Sequence, residues 1–253
     1  VTGRAVANEF AKMRRLRVAP VIAVLVLGVT ALSCLTTFTY PGFADMAQDP
    51  ARRPWSLLLA SLGLAVPLLS PVLLAVVASR QVDIEHQGGG WLLARTSGLS
   101  PGRLCRAKLA ATGSLVVAAT LLQSLLVAVA GVLAGIMAPF PAALWLGSTA
   151  LVTVVNLALL AFHLILAARV PNQLVGIGAG VMGVFVVLAA TEMPAWLARL
   201  VPPWGYYALA NPAEVGTDGA APGEPAALSV VLLGAAACAV FLAATARLDR
   251  QEA

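Results

Sequence analysis

The chain has 253 residues, of which 60% are hydrophobic and 11% charged, and its mean hydropathy is +0.91. A soluble domain of this length has too little interior to hide so much apolar surface, whereas a bilayer takes it up in stretches of roughly 20 residues. The formal net charge of +5 would hint at nucleic acid in a soluble protein. Here the basic residues flank apolar runs, so membrane lipid and topology account for them and no nucleic-acid partner is expected.

Arg greatly outnumbers Lys, which occurs only as Lys12 and Lys108, and Ala, Gly, Val and Leu dominate, the usage of a GC-rich bacterial gene. Cys34, Cys105 and Cys238 show no C-x-x-C spacing and give neither a disulfide framework nor a metal site.

In chain order, residues 1–17 are too charged to insert. Val6, Phe10 and Met13 recur at i, i+4 and i+7, with Arg4, Asn8, Lys12 and Arg15 opposite. This predicts an interfacial amphipathic helix, in which Phe10 meets the acyl boundary and Lys12, Arg14 and Arg15 the headgroups. The basic start, the apolar run after it and Ala31-Leu32-Ser33-Cys34 loosely resemble a lipoprotein signal; the run is read as a retained span.

Six spans follow, at about 18–39, 55–79, 113–136, 142–168, 172–191 and 226–246. None of the 27 charged residues (16 basic, 11 acidic) falls inside them. A charge at a helix centre costs roughly 2.5–3.5 kcal/mol, so these gaps are informative. The whole chain, 1–253, reads as one transmembrane domain of the all-α, polytopic class. With the N-terminus inside, 13 of the 16 Lys and Arg lie on the cytoplasmic side and 3 outside, which sets both termini in the cytoplasm. Trp55, Trp145, Trp196 and Trp204 fall at the outer boundary and Trp91 inside. Residues 138–141 and 169–171 read as tight turns, and Pro67 and Pro71 as a kink in span two.

The cytoplasmic segment 80–112 carries Asp83, Glu85, three glycines, the apolar Trp91-Leu92-Leu93, Arg95, and Ser100-Pro101 as a helix start leading to Arg103, Arg106 and Lys108. Trp91-Leu92 on a polar loop is expected to pack, either on the protein's own spans and lipid or on a cytoplasmic partner. Residues 192–225 are too apolar for a free loop and too broken by proline to span. Short helices in the outer interface are expected there, with 219–225 flexible. Thr149, Thr153, Asn156 and His163 share one face of span four. That face serves either helix–helix hydrogen bonds or a substrate path. Gly131-x-x-x-Gly135 and Gly176-x-x-x-Gly180 permit close helix approach.

Catalytic chemistry is missing. There is no G-x-x-x-x-G-K-[ST], His86 and His163 form no H-E-x-x-H, and the spans hold no carboxylate or amine to relay protons. No catalytic residue is assigned, and a membrane-embedded enzyme would need a cluster this sequence does not contain. Transport powered from elsewhere is the expectation.

The basic start Asn8-Glu9-Phe10-Ala11-Lys12-Met13-Arg14-Arg15, the six spans and the pattern Glu85, Trp91, Leu92, Leu93, Pro101, Arg103, Ala107, Lys108 resemble the permease subunits of ABC-2-type transporters. Within them the chain is similar to the small permeases of lantibiotic or peptide-antibiotic immunity and multidrug export systems, with a type V ABC exporter-like fold. Gly88-Gly89-Gly90 departs from the bulkier polar residues of those relatives. The resemblance implies a separate cytoplasmic ABC ATPase that carries ATP and Mg, a second permease chain, identical or paralogous, and the bacterial inner membrane as location. It also implies a coupling segment formed by Asp83, Glu85, Trp91, Leu92, Leu93, Arg95, Arg103 and Lys108. The competing reading is a non-transporting membrane scaffold or sensor subunit.

Overall fold

The computed structural model describes residues 3–216 and 219–251. The helices are α1 (Gly3–Arg15), α2 (Val18–Phe38), α3 (Phe43–Gln48), α4 (Pro54–Gln87), α5 (Gly90–Thr96) and α6 (Pro101–Leu133). They continue with α7 (Ala142–Arg169), α8 (Gln173–Thr191), α9 (Ala195–Ala198), α10 (Tyr206–Ala210) and α11 (Ala227–Gln251). Six of them, α2, α4, α6, α7, α8 and α11, are long and apolar enough to cross a membrane, and the protein is an all-α polytopic membrane protein.

Two of these helices outrun the spans that hydropathy marks. α4 continues from the expected limit near 79 to Gln87, and α6 begins at Pro101 rather than near 113. Hydropathy reports where hydrocarbon lies; a helix continues beyond it for as long as its polar side chains find water, headgroups or one another. Most of the segment expected as a loop over 80–112 is therefore helical, and α5 is the short piece between two long helices. Gly88 caps α4, and Gly89 turns the chain at φ +61°. At its far end α5 closes with Leu99 N–H donating to Ala94 C=O and Gly98 N–H to Arg95 C=O, the glycine being at φ +74°.

α4 is the central helix, packed by α2, α7 and α8. Its contact with α8 relies on missing side chains: a Cβ at Gly180 would lie 2.7 Å from the Pro71 carbonyl, and one at Gly176 2.6 Å from Ser79 Oγ. Gly131 seats α6 on Trp55 and Leu58 in the same way, while Gly135 lies beyond the helix in a left-handed turn at φ +79°. The core joins Leu25, Val29, Leu74, Val155, Leu159 and Leu164 with residues of α8, α10 and α11.

The end remote from the basic residues is capped by α3, α9, α10 and a short antiparallel hairpin, Ala213–Gly216 with Gly219–Pro222. The hairpin stands where a flexible stretch over 219–225 is expected. Trp55 and Trp145 lie at this same end. They are buried, stack edge-on with ring centroids 5.8 Å apart, and close round Phe140. Trp55 Nε1–H donates to Ala138 C=O at 2.8 Å, which shapes the link over 134–141 and makes it longer than a tight turn.

Candidate coupling site at the basic end

α1 keeps Arg4, Asn8, Arg14 and Arg15 exposed but does not lie free on one face. Its buried stripe is Ala5, Glu9 and Met13, spaced four apart, so the helix turns an acid inward. Met13 packs with Val18, Val77 and Ala111, drawing α1 onto α4 and α6. Arg17, at φ 50°, makes the corner into α2.

Glu9 then meets Lys12 of its own helix and Lys108 of α6, and both lysines also reach Glu85 of α4. Lys108 Nζ donates to Glu9 Oε2, to Glu85 Oε1 and to the Gln81 carbonyl, each at 2.7 Å. Lys12 Nζ donates to Glu9 Oε1 and Glu85 Oε1, also at 2.7 Å. Lys108 is 0% exposed, Glu9 1% and Glu85 3%. An ammonium has three protons to give, and Lys108 places all of them. The two lysines and two glutamates balance in charge, which is the condition under which ions of this kind persist away from water. For Lys12 burial works against the charged form. The hydrogen bonds that Lys12 donates to Glu85 and Glu9, together with their negative charges, outweigh it and hold the amine above its ordinary value.

The cluster corrects two expectations. Glu85 and Lys108 do not form a surface for a partner; they pin α4 and α6 to α1. Lys12 leaves the headgroup face to join them. Glu9, the fourth member, is missed by sequence reasoning because an acid among arginines on a surface helix looks solvated. The glycines are explained as well: a Cβ on Gly90 would strike Glu85 Oε2, so α5 starts in contact with the cluster only because that residue has no side chain.

His86 ties a further helix in. Its Nε2 meets the Ala167 carbonyl of α7 at 3.0 Å, and Nδ1 accepts from Trp91 Nε1 at 3.3 Å, so Nε2 carries the proton. Trp91 is thereby half-buried against the body of the protein. Leu92 and Leu93 point away, each 67% exposed. Arg95 and Arg103 are exposed beside them, and Asp83, half-buried, accepts from Gln87. Phe10, Arg14 and Arg15 remain exposed on α1.

A second tie closes this end from α11. Asp249 accepts from the Gly102 amide at 2.8 Å and from Arg106 at 3.0 Å, and Arg106 also donates to Thr245. Ser100 occupies the N-cap position of α6, but no side-chain cap bond to the helix forms there; the carboxylate from α11 serves an opening amide instead.

The polar face of α7 is placed inside the bundle. Thr149 meets Ser124 of α6 at 2.7 Å, Asn156 Nδ2 donates to Thr120 of α6, and Tyr207 of α10 donates to Asn156 Oδ1. Thr153 donates to the Thr149 carbonyl of its own helix. These bonds join helices or close on the backbone. His163 is buried beside Phe162 with neither ring nitrogen partnered.

The basic end thus presents an exposed apolar tip on α5, a short helix held to α4 through Trp91 and His86 and seated beside the ion cluster that joins α1, α4 and α6. Residues 5–189, from α1 through almost all of α8, match the family described as ABC-2 family transporter protein, and the chain belongs to that family. A search of the curated proteins finds no match. As a family member the chain is the membrane permease component of an ABC transporter, not itself catalytic, in a family that generally works with a cytoplasmic ABC ATPase.

Proposed function

We propose that this chain is the permease subunit of an ABC exporter of the bacterial inner membrane, with its basic end and both termini in the cytoplasm and its energy supplied by a separate ATPase. The observation that carries the reading is the exposed Leu92–Leu93 pair on a helix seated on a fully partnered charge cluster. Two leucines standing clear of the surface suit an apolar groove on a partner, with Arg95 and Arg103 at the rim. A push on α5 is passed to α4 and α7 through His86 and Trp91, and to α1 and α6 through Glu85 and Lys108. These helices then move as packed bodies between two arrangements.

ATP and Mg belong to the ATPase, and no cofactor is assigned to this chain. A second permease chain, identical or related, completes the pathway. Spans without charge fit a hydrophobic or amphipathic cargo, of the class of peptide antibiotics, drugs or lipid-like molecules.

The test is coexpression with a candidate ABC ATPase from the same genome, followed by purification and efflux measurement. Leu92→Asp and Leu93→Asp are expected to insert normally, to lose the copurifying ATPase and to abolish efflux. Full efflux in the double variant overturns the docking role of α5. A wild-type chain that captures no ATPase and moves no cargo favours the scaffold reading.

A further inference from the structure

In the half of the bundle away from the basic end, α4, α6, α7 and α10 enclose a small cavity with about 30 Å³ open to the centre of a water-sized sphere. One water needs roughly 10–15 Å³ on that measure. Leu62, Val66, Pro67 and Val152 line its apolar side, and Thr120, Gln123, Ser124, Thr149 and Tyr207 its polar side. Asn211 and Ser148, half-buried, stand among the lining residues.

The hydroxyl protons of this wall are already committed. Thr120 donates to the Val116 carbonyl, Thr149 to the Trp145 carbonyl and Tyr207 to Asn156. Ser124 accepts from Trp145 Nε1, so its own proton goes to Thr149. Acceptors are left over. Gln123 is 1% exposed and its Oε1 has no partner. Gly63 also lines the cavity, and its carbonyl receives no helical bond from Pro67, one turn later, which has no N–H. A buried acceptor without a donor is destabilising, and the freed carbonyls of membrane helices are commonly met by other groups or by water. Among the described residues no Asp, Glu, Lys or Arg lines the cavity to neutralise an ion.

We propose that this cavity is a binding site for a neutral hydrogen-bond donor, an O–H or N–H group held between Gln123 Oε1 and the Gly63 carbonyl. The donor comes from water or from the polar end of an amphipathic molecule in the bundle. The second source rests on the transport reading above; the first does not.

The experiment uses the whole protein in phosphatidylcholine nanodiscs, oxidised by X-ray-generated hydroxyl radicals, with Tyr207 and Pro67 read by mass spectrometry. Both residues are expected to be oxidised although buried, because radicals form on the bound donor. Gln123→Leu and Gln123→Met should each lower that oxidation about fivefold or more, as a bound water that loses a partner exchanges freely. The unfolding temperature of each variant separates loss of the site from loss of the fold. 1-Octanol and octyl methyl ether are then added in parallel. Protection by the alcohol but not the ether assigns the donor to an amphiphile, and protection by neither, with the variants still quenching oxidation, assigns it to water. Wild-type residues that resist oxidation, or oxidation unchanged in both folded variants, overturn the site. None of these measurements uses the ATPase, so the site with water as its donor stands or falls apart from the transport reading.

Discussion

At the basic end, α1, α4 and α6 are joined by two lysines and two glutamates at 2.7 Å, whereas in the other half α6, α7 and α10 are joined by Thr120, Asn156 and Tyr207 without a formal charge. Both networks fasten helices, but they differ in what it costs to break them. A charge stripped of its partner in a buried place is far more expensive than an amide or hydroxyl left short of one bond. The charged fastening is affordable where the helices emerge beside water and headgroups; deep in hydrocarbon only the neutral one is. On the function proposed above, the basic end is the half that receives a push, and the charged fastening is the one more costly to part.

The widest gap between the halves should appear with Lys108→Met, which leaves Glu9 and Glu85 buried and facing each other. A loss of about 3–5 kcal/mol is expected, read as a large fall in unfolding temperature in detergent. Adding Glu85→Leu should recover part of it. Asn156→Leu tests the neutral half, stranding the Tyr207 hydroxyl at about 1–3 kcal/mol by the same measurement. If Asn156→Leu proves as costly as Lys108→Met, the contrast between the halves fails. Asp249→Asn weakens a half-exposed ion pair and a helix-end bond, and only about 0.5–1 kcal/mol should follow.

The smallest effect is with pH. Lys12 has its value raised in the folded protein, so its contribution is complete below the ordinary lysine value of 10.5 and lost as pH rises through the higher folded value. The unfolding temperature should therefore be flat across this group's range from neutrality to that point and fall beyond it. Lys12→Met should remove that part of the alkaline fall.

The sequence carries the membrane class and the six spanning helices openly, because charge is excluded from hydrocarbon and each gap in the charge pattern is a physical necessity. It carries the site only in part. Leu92 and Leu93 stand out as apolar residues in a polar stretch, and they are exposed. The cluster is hidden for a different reason. Glu9 and Lys108 are 99 positions apart, and no periodicity relates an acid on one helix to an amine on another. Lys12 shows the same limit, since helical spacing gives its face but not what covers that face. His86 looks isolated in sequence because both of its partners, Trp91 and the Ala167 carbonyl, become neighbours only when α5 folds back and α7 arrives.

The carboxylate that serves the start of α6 is supplied by α11, 147 residues later in the chain. At about 5–20 residues per second, a ribosome makes that distance in roughly 7–30 s. For that interval the newly made α6 waits in the membrane with the Gly102 amide and the Arg106 guanidinium unmet. A helix made long after the third span is thus the one that locks it in place.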